Sequence, residues 1–300
     1  MPYVTMRDGQ ALHVRVVGQG QPVLLLPGLG MASSHWLPFI RPYRRHFRFY
    51  LPDFRGAGLS GKCFFNQTDI FQNNMEDVQD VVRHFGLKDL LLAGYSMGAS
   101  TALHWLRAEG FAGVRRYLHI DQAACIPNGD GWSHGLYGPN QSILFDGLRQ
   151  LSAHLDKHSD RAGIAELPWA ARKEAMGILS RMYRRLGAGW SMPPFLTLAA
   201  YWPWLFSLMI PNPCMANARA YLSSYLNAHD YRSCLRQCDT PITFMVGMKS
   251  LLYGSQGQVE IARAARNGRL VRFEKSGHML LLSEPWKFRR ELGRFLYDRE

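Results

Sequence analysis

The pentapeptide Gly94-Tyr95-Ser96-Met97-Gly98 constrains this chain more than any other stretch. It lies between the apolar run Leu90-Leu91-Leu92-Ala93 and the helix-like Ala99-Ser100-Thr101-Ala102-Leu103. Gly-x-Ser-x-Gly at a strand-to-helix junction is a tight, strained turn: the glycines let backbone approach where a side chain would collide, and the serine hydroxyl is left exposed at the tip. A chance pentapeptide in a glycine-rich turn would need neither the strand before it nor the helix after it. The context predicts a nucleophilic Ser96 at the carboxyl end of a sheet strand.

Short apolar runs alternate with amphipathic stretches at both ends of the chain, which is the mark of βα units stacking a mostly parallel sheet. Strands are expected at Ala11–Val17, Val23–Leu26, Phe47–Leu51, Leu90–Ala93, Tyr117–Ile120, Ile242–Val246 and Leu270–Phe273. Asp69–Phe85 carries Ile70, Val78, Val81, Val82 and Phe85 at helical spacing, as Phe288, Leu292, Phe295 and Leu296 do near the C-terminus, where Pro285 suits a first turn. From about Pro127 to Ala228 the strands stop and helical pieces punctuated by Gly and Pro take over. That is too long for a plain loop. The expected organisation is a core from residues 1–126 and 229–300, with 127–228 inserted as a helical cap.

Leu24-Leu25-Leu26-Pro27-Gly28-Leu29-Gly30 places a Gly-rich turn directly after another buried strand. Such a turn can offer a backbone N–H to a developing oxyanion, with a second from the residue after the nucleophile, so Leu29 and Met97 are the candidate donors. Pro52-Asp53-Phe54-Arg55-Gly56-Ala57-Gly58-Leu59-Ser60 follows the next strand. Together with the Ser96 turn, these segments resemble the α/β-hydrolase superfamily along nearly the whole chain outside the cap. The resemblance implies an α/β-hydrolase fold, a mostly parallel central sheet flanked by helices, and structural roles for Asp53 and Arg55. Many relatives have His before the glycine of the oxyanion turn, where this chain has Pro27.

Eleven histidines compete for the general base. Only His278, in Lys275-Ser276-Gly277-His278-Met279 between the last strand and the last helix, stands where family members carry their catalytic histidine. His35 and His104 are weaker candidates for the pocket. Relatives usually supply the acid after the strand that is Ile242–Val246 here, yet this chain reads Gly247-Met248-Lys249-Ser250, and no carboxylate occurs between Asp239 and Glu260. The best substitute is Asp121, at the end of the strand after the nucleophile helix. Aspartate there also serves turns and caps. A Ser-His-Ser arrangement through Ser250 and a weak dyad remain alternatives, with Asp230 ranked below them.

The net charge of +12 raises the question of nucleic acid or an anionic surface, but groups such as Arg44, Arg45, Arg181, Arg184, Arg289 and Arg290 are dispersed, without a basic run or nucleic-acid module. Five cysteines form no CxxC pair or zinc signature, which favours reduced thiols in a cytoplasmic setting, and no metal or cofactor is expected. The N-terminus does not read as a signal peptide, and the most apolar stretch, Phe195–Ile210, is too short to span a bilayer. Trp169, Trp190, Met192, Phe195, Trp202, Trp204, Phe206 and Met209 are candidates for an apolar wall over the serine, most packing the cap's own core and a few facing Ser96. The expected partner is a small-molecule ester or thioester; lactone hydrolysis, acyl transfer and a non-catalytic ligand-binding role stay open, as does the oligomeric state.

Overall fold

The apolar runs become eight strands: β1 Tyr3–Thr5, β2 Ala11–Gly18, β3 Gln21–Leu26, β4 Phe47–Pro52, β5 Leu90–Tyr95, β6 Val114–Ile120, β7 Ile242–Gly247 and β8 Gly268–Phe273. Their helices are α1 Leu37–Ile40, α2 Ile70–Phe85, α3 Met97–Glu109, α4 Gln141–Asp156, α5 Trp169–Arg185, α6 Met192–Tyr201, α7 Met215–Leu226, α8 Arg232–Gln237, α9 Ser255–Ala264, α10 Leu280–Ser283 and α11 Pro285–Tyr297. The structure, a computed structural model, describes residues 2–129, 131–186, 192–202, 205, 214–227 and 229–298. The seven strands expected from the sequence are present. β1 is an addition, three residues with one buried side chain, too short to carry a pattern.

One sheet runs in the order β1-β2-β4-β3-β5-β6-β7-β8. β1, β2 and β4 pair antiparallel, and every pair from β4 across to β8 is parallel. The central strands are buried on both faces, as parallel strands flanked by helices must be. Alternation by two still sorts them: Leu24, Leu26, Leu90 and Leu92 face one core with Val81 and Leu103, while Val23, Leu25, Leu91 and Ala93 face the other with Phe288 and Leu292. Each such leucine, valine or phenylalanine contributes about 1.5–3 kcal/mol by leaving water.

Local signals set the helix ends. Asp69 caps α2 by accepting from the Phe71 N–H at 2.9 Å, and Gly86 closes it in the left-handed region at φ 59°. Pro285 occupies the first turn of α11. Between β6 and β7 the described residues carry α4 to α8 and add no strand to the sheet. Among the described residues no helix is long and apolar enough to cross a membrane.

β3 has β4 on one side and β5 on the other, so the chain reverses its direction of progress across the sheet there. In open parallel sheets the crevice at such a switch point, outside the carboxyl ends of the strands, is where ligands are held. The loop after β3 carries Leu29, and Ser96 directly follows β5.

Candidate active site

Ser96 sits between β5 and α3 at φ 51° and ψ −118°, a conformation that costs a non-glycine residue about 1–3 kcal/mol. Its neighbours hold it there. The Ser96 N–H donates to the Ile120 carbonyl at 3.0 Å, and its carbonyl accepts from Ala99 at 2.8 Å and from the Gln122 amide at 3.3 Å. The flanking glycines are needed for close approach: a Cβ on Gly94 would lie 2.6 Å from the Gly98 carbonyl oxygen, and one on Gly98 would lie 2.5 Å from that of Leu26.

The Ser96 Oγ is 2.9 Å from His278 Nε2, and His278 Nδ1 is 2.7 Å from Asp121 Oδ2. With Nδ1–H donating to the carboxylate, Nε2 presents its lone pair to the serine hydroxyl. The ring is fixed from a second side by Tyr95, stacked on it at 5.3 Å between centroids, whose hydroxyl donates to the His278 carbonyl at 3.0 Å. Burial, and then the Asp121 charge, push the Tyr95 phenol well above its ordinary range, so it stays a donor.

Asp121 is wholly buried, with φ 44°, and its carboxylate gathers donors from three other elements. Oδ1 accepts from the Gly247 N–H at 2.8 Å and from Gln258 of α9 at 3.3 Å; Oδ2 accepts from the Ser250 hydroxyl at 2.9 Å. A buried carboxylate needs this company, because an unpaired one would be neutralised by protonation. Ser250, which follows β7, therefore hydrogen-bonds to a carboxylate that stands at the end of the neighbouring strand β6. Gln258 belongs to no motif in the sequence, and Tyr95 stands in the Gly94–Gly98 motif at a position that leaves the residue type open.

Gly28 packs against the serine turn: a Cβ there would lie 2.9 Å from a Tyr95 ring carbon and 3.4 Å from the Ser96 Cβ. The turn is closed by Met31 N–H donating to the Gly28 carbonyl at 3.1 Å, with Gly30 at φ 76°. Leu29 lines the same cavity as Ser96. Met97 is the first residue of α3, where an N–H has no acceptor within the helix and the dipole is positive.

A cavity of about 390 Å³ opens from Ser96 and His278. Leu144, Leu148, Leu151 and Leu155 of α4, Leu179, Met182 and Tyr183 of α5, and Ala218, Tyr221, Leu222 and Tyr225 of α7 wall it, and among the described residues no Lys, Arg, Asp or Glu lines it. The aromatic wall expected from the sequence is corrected here. Trp169 and Trp202 are largely exposed, Trp169 packing on Tyr201 at the surface, and Phe195 does not line the cavity. Trp190, Trp204, Phe206 and Met209, and the Met192 side chain, lie outside what is described.

Other candidates stand apart from the serine. Arg55 is buried against Asp77, bonding both carboxylate oxygens at 2.7 Å, and Asp8; Asp53 accepts from His13, Leu59 and Ser33. These are fold contacts. Asp230 pairs with Arg232, and His35 accepts from the Ala32 N–H. His104, Asp69 and His229 bring ligand-type atoms within 4.8 Å of one another. A cation already sits there: Arg107 lies 3.1 Å from His104 Nδ1, while Gln72 and Tyr231 take up the ring nitrogens. The group is a hydrogen-bonded junction between α2, α3 and the chain at 229–231.

The sequence model of the alpha/beta hydrolase family matches residues 23–289, and the chain belongs to that family. It is 22% identical over 300 residues to an AB hydrolase superfamily protein of Bacillus subtilis, covering 98% of each chain. It is 22% identical to a pimeloyl-[acyl-carrier protein] methyl ester esterase of Legionella pneumophila, covering 95% of this chain and 99% of the other. Among solved structures, an esterase from Exiguobacterium antarcticum superposes with a TM-score of 0.65 at 20% identity over 98% of both chains.

Proposed function

We propose that this protein is a serine esterase that hydrolyses carboxylic esters with an apolar acyl group through an acyl-enzyme. The observation that carries the reading is the continuous Ser96–His278–Asp121 chain at 2.9 and 2.7 Å, at the mouth of a cavity that no Lys, Arg, Asp or Glu among the described residues lines. Ser96 Oγ attacks the ester carbonyl as His278 Nε2 takes its proton, and Asp121 stabilises the imidazolium. The Leu29 and Met97 N–H groups stabilise the tetrahedral oxyanion. His278 then protonates the departing alcohol, activates a water against the acyl-enzyme, and Ser96 is restored as the carboxylic acid leaves. The helices between 127 and 228 act as a cap that shields the site from bulk solvent.

The ester esterases among the relatives support the choice of bond. A panel of p-nitrophenyl esters of increasing chain length, run beside acyl thioesters and lactones, tests it. The expected result is turnover of the esters with preference for chains longer than acetate. Thioester or lactone turnover exceeding that of every ester would reassign the substrate, and none from a folded protein would favour a ligand-binding role.

A further inference from the structure

The cavity has a direction, which two antiparallel helices define. Leu144, Leu148, Leu151 and Leu155 form a stripe on one face of α4, and eleven residue steps make it about 16 Å long. α7 runs the opposite way: Arg219 near its start pairs with Asp156 at the end of α4 at 2.6 Å. Tyr225, near the end of α7, is close enough to Tyr253 to influence its ionisation, and Tyr253 lies beside the His278 ring, 6.0 Å between centroids. The triad end therefore holds Leu144 and Tyr225, and Leu155 and Ala218 mark the far end.

Besides Tyr95, five phenols line this otherwise apolar wall, those of Tyr137, Tyr183, Tyr221, Tyr225 and Tyr253; three of them, from three separate elements, group around Tyr183: Tyr137 before α4, Tyr183 of α5 and Tyr225 of α7. Among the described residues none of their hydroxyls has a hydrogen-bond partner, whereas that of Tyr95 is committed to the His278 carbonyl. Burial pushes Tyr137 and Tyr225 up to about 12, the neighbouring Tyr183 phenol adds to both, and burial raises Tyr183 itself. All three are thus protonated donors at neutral pH, grouped around Tyr183. Buried tyrosine hydroxyls are ordinarily paired, so donors left facing a cavity call for an acceptor from the occupant.

We propose that Tyr137, Tyr183 and Tyr225 form a donor collar for an oxygen on the substrate. The site then takes an ester whose long apolar arm carries a neutral oxygen function, a ketone, hydroxyl or ether, part-way along its length. This rests on the esterase reading above and specifies its substrate. The oxygen must be neutral, because among the described residues no Lys or Arg lines the cavity and a buried carboxylate without a counter-charge is strongly disfavoured.

The test compares p-nitrophenyl decanoate with p-nitrophenyl decanoates bearing a ketone at successive mid-chain positions. One position is expected to raise kcat/KM over the plain ester by roughly threefold to tenfold, the worth of a neutral hydrogen bond. Tyr183→Phe, and the triple replacement of Tyr137, Tyr183 and Tyr225 by Phe, preserve shape and are expected to bring that ratio back to about one. No advantage at any position, or one that survives the triple replacement, would overturn the collar. Binding separates this from failure of the esterase reading: a mid-chain keto-decanamide should raise the Tm of the wild type more than decanamide does, and lose that margin in the triple variant, even if no ester is cleaved. Equal Tm shifts in the wild type would count against the collar.

Discussion

The Ser250 hydroxyl donates to Asp121 Oδ2 at 2.9 Å, the same carboxylate oxygen that faces His278 Nδ1 at 2.7 Å. β6 and β7 are neighbours, and Asp121 N–H donates to the Met245 carbonyl, so an acid at either strand end is directed at one imidazole. Asp121→Asn is expected to lower kcat by at least roughly a hundredfold with Tm nearly unchanged, because the imidazole loses the anion that sets its tautomer. Adding Ser250→Asp to that variant should recover at least about tenfold, measured on a p-nitrophenyl ester. A folded double variant no faster than Asp121→Asn would show that the Ser250 position cannot serve.

Arg55 is expected to be a stability residue. Its guanidinium neutralises Asp77, and removing it leaves a buried carboxylate without a partner. Breaking such a pair from one side costs about 3–5 kcal/mol. Arg55→Ala should lower the urea midpoint accordingly, while kcat per folded molecule stays within about twofold. A large loss of kcat with the midpoint unchanged would place Arg55 in the chemistry.

The motifs that were legible in the sequence are those whose physics is local. The Gly94–Gly98 turn, the apolar strands and the helical spacing of Asp69–Phe85 each need only their own residues and immediate neighbours. Asp121 could be nominated by its place at a strand end. Its bond to Ser250 could not be read, because 129 positions separate the pair and only sheet order joins them. The cavity wall was misjudged for a similar reason. Trp169 and Trp202, expected there from the tryptophan content of 127–228, are exposed, and the wall is built from leucines of α4 and tyrosines of α7. Their helical spacing was present; which face meets Ser96 depends on how the helices dock. Unpaired tyrosine hydroxyls likewise have no signature before their surroundings are known.

Acid should weaken the fold through His104. Burial, and secondarily Arg107, hold it down to about 4 against an ordinary 6.5, while Asp69 opposes the shift and His229 adds to it. Between those values the unfolded chain binds a proton that the folded chain refuses, so stability is present above 6.5 and is lost as pH falls toward 4. One such group gives a slope of up to about 1.4 kcal/mol per pH unit, reduced by its partial exposure. Urea unfolding from pH 7 to 4.5 should show this slope in the wild type and a shallower one in His104→Gln. Equal slopes would assign the acid sensitivity elsewhere, His119 being the next buried histidine held to about 4.

Reaction with a fluorophosphonate, followed by intact-protein and peptide mass spectrometry, tests the central claim most directly, since only an activated serine beside an oxyanion site reacts readily. A single adduct on Ser96 is predicted in the wild type, forming at least roughly a hundredfold more slowly in Asp121→Asn and His278→Gln. Folded wild-type protein that stays unlabelled, or that carries the adduct on a residue other than Ser96, would contradict the account.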